Sequence, residues 1–378
     1  MKKEKLIQHR TPFYCYDLKL LNQTLDQAQT HAKKHDYHIH YAMKANTNDR
    51  ILEVIQSKNF GADCVSGNEV KKALEKGFKP NQIAFAGVGK SDEEIEIGLQ
   101  NDIFTFNCES VQEIEIINEL ATKANKVARI ALRLNPNVDA KTHKYITTGL
   151  EENKFGINSW ELEGLLEKLP SLSNIKVTGL HFHIGSQITS MTPFKNLCIR
   201  VNELNQWFLD RGIHIEHLNL GGGLGIDYQN PKENPIPDFE LFFGVFKQFL
   251  EPRVHQEIHF ELGRSLVANC GSLISKVLYI KNGIKTNFAI IDAGMTELIR
   301  PALYQASHSI ENLTSVSSDS EFYDVVGPIC ESSDCFGKKI ELKPTKRGDY
   351  IKIHSTGAYG EVMTSGYNLR EQNPVVFV

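Results

Sequence analysis

Short apolar stretches alternate with amphipathic stretches of helical spacing along the first two thirds of the chain. Runs rich in apolar, β-branched or aromatic residues predict eight strands, at His38–Met43, Gly61–Cys64, Gln82–Ala86, Ile103–Phe106, Ala128–Leu134, Val177–His183, His214–Leu220 and Glu257–Leu262. Helices are predicted between them, at Asp49–Lys58, Gly67–Lys76, Asp92–Leu99, Ser110–Lys123, Ser159–Lys168, Phe194–Asp210 and Asp238–Leu250. Several of these begin with a capping residue, namely Asp49, Asp92, Ser110, Ser159 and Asp238. This alternation predicts an α/β fold with a (β/α)8, TIM-type barrel, and an open doubly wound sheet is the alternative.

The pattern changes after Leu262, where strands follow one another without regular helices. They are predicted at Ser265–Ile280, Asn287–Asp292, Tyr323–Gly327, Asp349–His354 and Val375–Val378, with short helical patches at Glu297–Ala306 and Tyr359–Met363. We therefore expect a barrel over residues 28–262 and a second, mostly β domain over residues 263–378. The N-terminal segment, residues 1–27, contains a strand-like stretch at Pro12–Tyr16 and is expected to join the β domain.

Composition narrows the class of protein. The 378 residues are 41% hydrophobic and 23% charged, which is typical of a globular chain and excludes a disordered one. A net charge of −4, with lysine and arginine spread along the chain, argues against nucleic acid or a membrane surface as the partner. No secretory signal or membrane span is expected. Seven cysteines at scattered spacings are interpreted as reduced thiols in a cytoplasmic protein.

Unusual polar and glycine residues follow the predicted barrel strands, where active sites of this fold lie. They are Lys44, Asp63, His183, Ser186, Gly221, Gly222, Gly223, Glu261, Gly263 and Arg264. Lys44 is either a surface lysine or a desolvated amine able to form a Schiff base. The three successive glycines are either a tight turn or a phosphate cradle.

Two further groups on this rim have alternative explanations. His181 and His183 are two residues apart and share a strand face, which allows a metal pair, but packing or ring stacking is favoured because no third ligand lies nearby. No metal site is expected. Glu261 either pairs with Arg264 or faces a cationic ring nitrogen.

Three motifs of the predicted β domain carry candidate chemistry. GPICESSDCFGK places Cys330 and Glu331 in a polar turn, where an exposed thiol is unusual. Arg300 and Tyr304 are four residues apart and share a face if their segment is helical. Tyr359 lies in GAYG, where a phenol can reach a phosphate or carboxylate.

Taken together, YAMKAN, GADCVSGNE, KFGI, GLHFHIGSQ, NLGGGLG, ELGR, DAGMTELIRPALY, CESSD and GAYG resemble the bacterial diaminopimelate decarboxylases. These are fold-type III, alanine-racemase-like enzymes that depend on pyridoxal 5'-phosphate (PLP). The resemblance implies decarboxylation of meso-2,6-diaminopimelate to L-lysine and CO2, the last step of lysine biosynthesis. It also implies a PLP-binding barrel with a C-terminal β domain.

The resemblance implies a role for each matching residue. Lys44 would hold PLP covalently, with Asp63 near its amine, His183 would stack on the pyridine ring, and Glu261 would keep the ring nitrogen protonated. The phosphate would be held by Gly222, Gly223, Ser186, Gly263, Arg264 and Tyr359. Cys330 would be the general acid that returns a proton after CO2 leaves. The family forms homodimers with shared active sites, and the loop bearing Cys330 and Glu331 would come from the partner subunit.

Substrate choice is the finer expectation. The distal amino-acid end of diaminopimelate needs cations for its carboxylate and an anion for its ammonium. Arg264 and Arg300 would contact the carboxylate, with Tyr304 and Tyr359 assisting, and Glu331 would meet the ammonium. The alternatives are a related PLP decarboxylase acting on ornithine, arginine or carboxynorspermidine, an amino-acid racemase, and a catalytically silent PLP-binding protein.

Overall fold

The computed structural model describes residues 8–138 and 154–378. The chain divides into two compact units. The barrel unit comprises Leu25–Gly225 and Asp238–Gly263, and the β unit comprises Met1–Thr24, Ile226–Pro237 and Arg264–Val378. Residues 1–7 of the expected N-terminal segment lie outside the described residues.

The strands, in chain order, are β1 Phe13–Tyr16, β2 Tyr37–Ala42, β3 Gly61–Cys64, β4 Ile83–Phe85, β5 Thr105–Cys108, β6 Ala128–Arg133, β7 Ile175–His181, β8 His217–Asn219, β9 Glu257–Leu262, β10 Gly271–Asn282, β11 Asn287–Ile291, β12 Ile310–Asn312, β13 Glu321–Val326, β14 Cys335–Leu342, β15 Tyr350–His354 and β16 Val375–Phe377. The α-helices are α1 Leu18–Lys33, α2 Asp49–Ser57, α3 Gly67–Glu75, α4 Asp92–Gln100, α5 Val111–Lys123, α6 Leu162–Lys168, α7 Thr192–Asp210, α8 Phe239–Phe249, α9 Arg264–Val267 and α10 Arg300–Tyr304. Each predicted barrel strand and helix is present, with ends shifted by a few residues.

Strands β2 to β9 form a closed parallel barrel in sequence order. The last strand, β9, pairs with the first, β2, so that Glu261 lies level with His40. This pairing confirms the (β/α)8 barrel and excludes the open doubly wound sheet. Because all eight strands run in one direction, their carboxyl ends meet at one rim.

Helix starts in the barrel unit differ from the sequence expectation at three places. Ser110 and Asp238 cap α5 and α8 as predicted. Caps at Asp49, Asp92 and Ser159 are wrong by one residue, since Asn48, Ser91 and Asn158 take that position. The reason is visible at α4. The Ser91 hydroxyl accepts from the Glu94 N–H, and the Glu94 carboxylate accepts from the Ser91 N–H. This reciprocal pair needs the residue before Asp92.

Three buried histidines pack around Phe104 inside the barrel unit. The ring centroids of His40, His217 and His259 lie 5.6, 4.7 and 5.0 Å from that of Phe104. His40 Nε2 and His259 Nδ1 are 2.9 Å apart. Burial lowers the pKa of all three imidazoles, to about 3 for His40, so the cluster is neutral at pH 7.

The β unit contains a sheet with the strand order β12-β15-β10-β11-β13-β14. Strand β1 pairs antiparallel with β10 and parallel with β16. A continuous strand over Ser265–Ile280 is wrong. The chain first forms the short helix α9, with Ala268 N bonded to Arg264 O at 2.9 Å, and enters β10 only at Gly271. The mostly β character of this unit is confirmed.

The segment Ile226–Pro237 belongs to the β unit, although the expected boundaries place it in the barrel. Its contacts explain this grouping. The Tyr228 carbonyl accepts from Ser309 N at 3.2 Å, and the Pro235 carbonyl accepts from Asn269 Nδ2 at 2.9 Å. The boundaries expected after residues 27 and 262 stay predictions. None of the helices in the described part of the chain has both the length and the apolar character that crossing a bilayer requires.

Candidate active site

Lys44 and Asp63 meet at the carboxyl-end rim of the barrel unit. Lys44 lies in a single 3-10 turn, Met43–Ala45, directly after β2, and Asp63 is the third residue of β3. Strand pairing places Ala42 level with Asp63. The Lys44 Nζ donates to Asp63 Oδ2 at 2.9 Å. The structure thus brings together the two residues that the sequence assigned to neighbouring strands.

The Asp63 carboxyl is fully buried, and this changes its electrostatics. Burial, followed by the negative charge of Glu261, raises the pKa of Asp63 to about 6, while Lys44 acts in the opposite direction. Its second oxygen, Oδ1, has no hydrogen-bond partner among the described residues. The site therefore contains a buried carboxyl that titrates near neutrality and retains an unused acceptor.

Glu261 lies on β9 at the centre of a hydrogen-bonded network. Its Oε1 accepts from Asn107 Nδ2 at 3.0 Å and from Asn219 Nδ2 at 2.7 Å. Its Oε2 lies 3.0 Å from His181 Nε2. These three partners come from the ends of β5, β8 and β7. Burial acts to raise the pKa of Glu261, but the charge and hydrogen bond of His181, with Lys44, hold that pKa below its usual range.

The partners of Glu261 were not predicted from the sequence. Packing was the favoured explanation for His181, and neither Asn107 nor Asn219 was singled out. A usable signal was present, because each asparagine is a polar residue within or directly beyond the end of a predicted barrel strand, where active sites of this fold lie. The structure also ends β7 at His181, so the strand does not continue to His183 as expected. Among the described residues no cluster of ligands suited to a metal ion exists.

The glycine run after β8 lies close to His183 and Glu261. The His183 Nδ1 accepts from Gly222 N at 3.3 Å. A Cβ on Gly222 would lie 2.0 Å from the Glu261 carbonyl oxygen, so no side chain fits there. Loss of hydration, with the positive charges of Arg133 and Lys44, lowers the pKa of His183 to about 3. A neutral imidazole therefore lies against a backbone loop that only glycine can form.

Two other residues singled out by the sequence complete this rim. Gly263 follows β9, and a Cβ there would lie 3.0 Å from Ala42 Cβ and 3.1 Å from Ala45 Cβ. Its glycine thus allows the turn bearing Lys44 to pack closely on the end of β9. Ser186 is half-buried in the segment after β7.

A cationic cluster lies in the β unit. Arg264 Nη1 and Arg300 Nη1 both donate to the Tyr228 hydroxyl, at 2.7 and 2.8 Å. The Arg264 guanidinium also lies 4.8 Å from the centre of the Tyr359 ring. Arg300 and Tyr304 begin and end α10, so their segment is helical, which is the condition under which their spacing predicts a shared face. Tyr228, which lies in the segment Ile226–Pro237, was not predicted from the sequence.

The turn bearing Cys330 lies at the surface of the β unit. Cys330 is exposed, Cys335 is half-buried and the other five cysteines are buried. The Cys330 N–H donates to Asn368 Oδ1 at 3.4 Å, and Glu331 accepts from the Tyr367 hydroxyl at 2.8 Å. Asp334 fixes the turn, since its carboxylate accepts from Ile329 N at 2.7 Å. The expected exposed thiol is therefore present.

Known proteins resemble this chain over most of its length. The family model described as the pyridoxal-binding domain of pyridoxal-dependent decarboxylases matches residues 18–268. The diaminopimelate decarboxylase of Bacteroides thetaiotaomicron is 56% identical over 96% of this chain and 94% of its own length. That of Aquifex aeolicus is 38% identical over 97% of this chain and 86% of its own. The structure of the Helicobacter pylori diaminopimelate decarboxylase complexed with L-lysine superimposes with a TM-score of 0.93, at 39% identity, over 99% of this chain and 93% of that one.

Proposed function

Because the chain belongs to the family of pyridoxal-dependent decarboxylases, we propose that it converts meso-2,6-diaminopimelate to L-lysine and CO2 with PLP as cofactor. The observation that carries this proposal is the Glu261 network of the barrel unit. A buried carboxylate held ionised by neighbouring donors is the partner that a protonated pyridine nitrogen needs.

The described residues of the barrel unit fit PLP. Lys44 would hold it through its amine, with Asp63 orienting that amine, and His183 would stack on its ring. Gly222, Gly223, Ser186 and Gly263 would surround its phosphate, and a loop that excludes every Cβ supports a close backbone approach. When bound, PLP supplies the electron-withdrawing ring that takes up the electron pair left by CO2. Phosphate contacts from Arg264 and Tyr359 stay predictions.

The β unit would supply the groups that the distal end of the substrate requires. Arg264 and Arg300 would bind its carboxylate, since a guanidinium presents paired donors to a carboxylate. Tyr304 and Tyr359 would assist, and Glu331 would meet its ammonium. Arginines held by one phenol oxygen support recognition of an anion, which ornithine-type amines do not carry at that end.

The proton that replaces CO2 would come from the Cys330 Sγ. Because this thiol is exposed on a turn that Asp334 fixes, it could donate a proton to a group held by another subunit. We further propose a homodimer in which the turn bearing Cys330 and Glu331 serves the partner subunit's active site. The relatives with L-lysine bound support an amino-acid substrate.

A substrate panel tests this function. Purified protein is assayed for CO2 release from meso-diaminopimelate, ornithine, arginine and carboxynorspermidine, with and without added PLP. We expect release from diaminopimelate to exceed the others by roughly 100-fold or more, because a site built for a polar group rejects substrates that lack it. Faster release from another amine would favour a related decarboxylase, and no release in PLP-loaded protein would favour a silent binding protein.

A further inference from the structure

The two arginines of the β unit form an unusual pair. Arg264 and Arg300 are both buried and carry like charges, yet both donate to the same oxygen of Tyr228. Like charges held together away from water repel, and one neutral phenol does not cancel that repulsion. Arg300 forms no ion pair with a carboxylate in the described part of the chain, and its Nε has no hydrogen-bond partner there. Arg300 can therefore bind an anion through its Nε–H.

His308 contacts the same guanidinium from another side. Its Nε2 lies 3.1 Å from Arg300 Nη1, and its Nδ1 lies 2.8 Å from the His354 carbonyl oxygen. Because a guanidinium only donates and a carbonyl only accepts, Nδ1 carries the proton and Nε2 is the acceptor. The buried imidazole is neutral, and burial lowers its pKa to about 3. A protonated ring would add a third positive charge beside Arg300.

Tyr228 and His308 also support each other. Their rings meet edge to face with centroids 5.0 Å apart, and the Arg300 guanidinium lies 4.8 Å from the centre of the Tyr228 ring. The Tyr228 carbonyl accepts from Ser309 N, the residue after His308. Tyr228 and His308 thus accept hydrogen bonds from Arg300 Nη1, and the Arg300 Nε–H is left to donate to another ligand.

We infer that Tyr228 and His308 are positioning residues for carboxylate recognition: they hold Arg300 beside Arg264 with its Nε–H available to the distal carboxylate of the substrate. This inference rests on the proposed function. Tyr228 joins the two guanidiniums through one hydroxyl oxygen, and His308 fixes the direction of the Arg300 guanidinium.

Equilibrium binding to PLP-loaded protein tests it without turnover. L-Lysine keeps the distal carboxylate, whereas cadaverine has the same chain and both amines without it, so the ratio of their dissociation constants reports carboxylate recognition. We expect the unaltered protein to prefer L-lysine. Tyr228→Phe keeps the same ring and His308→Phe puts a larger aromatic ring in its place. Each should reduce this preference by roughly 10-fold, because each removes a hydrogen bond to a charged group. Cadaverine binding should change little.

Two further variants separate positioning from general structure. His308→Gln should keep the preference within about 3-fold, because its amide oxygen can accept from Arg300. Tyr279→Phe is the matched control, since Tyr279 lies under Arg347 on the exposed surface of the same unit, with 5.0 Å between guanidinium and ring centre. It should leave the ratio unchanged.

The outcomes distinguish the two levels of the proposal. If Arg300→Ala abolishes the preference but Tyr228→Phe and His308→Phe retain it, the positioning role is overturned and the proposed function stands. If the unaltered protein neither prefers L-lysine to cadaverine nor releases CO2 from diaminopimelate, the proposed function itself fails. Should His308→Phe not fold, the Tyr228→Phe result decides, and retained preference in that folded variant overturns the inference.

Discussion

The Nζ of Lys44 lies 2.9 Å from Oδ2 of Asp63, and this ion pair joins an accessible amine to a fully buried carboxyl. The Lys44 side chain is 37% exposed, whereas Asp63 is 0% exposed. Neighbouring parallel strands produce the contact, because Ala42 and Asp63 lie level in β2 and β3. The charge on the buried partner therefore controls the position of the amine.

The first prediction concerns this charge. Because burial and Glu261 raise the pKa of Asp63 to about 6, Asp63 is ionised at higher pH and becomes neutral as the pH falls through about 6. We expect the turnover number at saturating substrate to fall with it. Asp63→Asn should have a lower turnover number than the unaltered protein at pH 8, and its turnover number should not fall further as the pH drops through about 6. Profiles of turnover against pH check this, with the exposed Asp319→Asn as control. If the turnover number of Asp63→Asn still falls through pH 6 as in the unaltered protein, the titrating group is not Asp63.

The second prediction concerns the amine itself. Borohydride reduction of PLP-loaded protein, followed by peptide mapping, should find the reduced cofactor on the peptide that contains Lys44. Lys44→Ala should lose roughly 1000-fold or more in turnover, since no other described amine lies beside Asp63. Label on another lysine, such as Lys90, which is bound to Glu113, would remove Lys44 from its proposed role.

The third prediction compares two thiols. Cys330→Ala should keep PLP bound, measured by cofactor absorbance, but lose roughly 100-fold in turnover, which is the range expected for a lost general acid. Cys335→Ala is the matched control, because Cys335 is half-buried and burial raises its pKa. It should retain the original rate. Near-normal turnover in Cys330→Ala would show that another group donates the proton.

The individual strands and helices could be inferred from the local pattern of residues. The closure of the barrel depends on contacts between residues that are distant in the sequence. Strand β9 was predicted over its whole length, because Glu257–Leu262 alternates polar and apolar residues and is followed at once by Gly263. Closure of the barrel was not fixed by alternation, since helices between strands suit an open sheet as well. The β2 and β9 pairing decides it.

The site shows the same division. Lys44, Asp63 and Glu261 were found because charged residues at strand ends are conspicuous. Tyr228 and His308 were missed because neither a tyrosine in the segment Ile226–Pro237 nor a histidine after α10 carries a local sign of a shared partner. Their link to Arg300 depends on the fold of the β unit.

The fourth prediction concerns acid stability. The pKa of His40 is about 3 in the folded chain and near 6.5 when exposed, so unfolding binds a proton between these values. Its contribution to stability is fully present above about pH 6.5 and is lost as the pH falls towards 3. The loss in the free energy of unfolding is about 2 kcal/mol at pH 5. His40→Gln should flatten the dependence of the melting temperature on pH between about 5 and 7. The exposed His214→Asn should not, and equal slopes in all three proteins would contradict the prediction.

The pairing of β1 with β16 has a consequence for synthesis on the ribosome. Tyr14, Cys15 and Tyr16 lie level with Val375, Val376 and Phe377. Strand β1 is therefore synthesised before the barrel strands, but it cannot form this pairing until β16 has been synthesised after them. The barrel can complete its own ring of strands earlier, once β9 has left the exit tunnel. Vectorial synthesis thus imposes an order of maturation on the chain, in which the β unit is finished last.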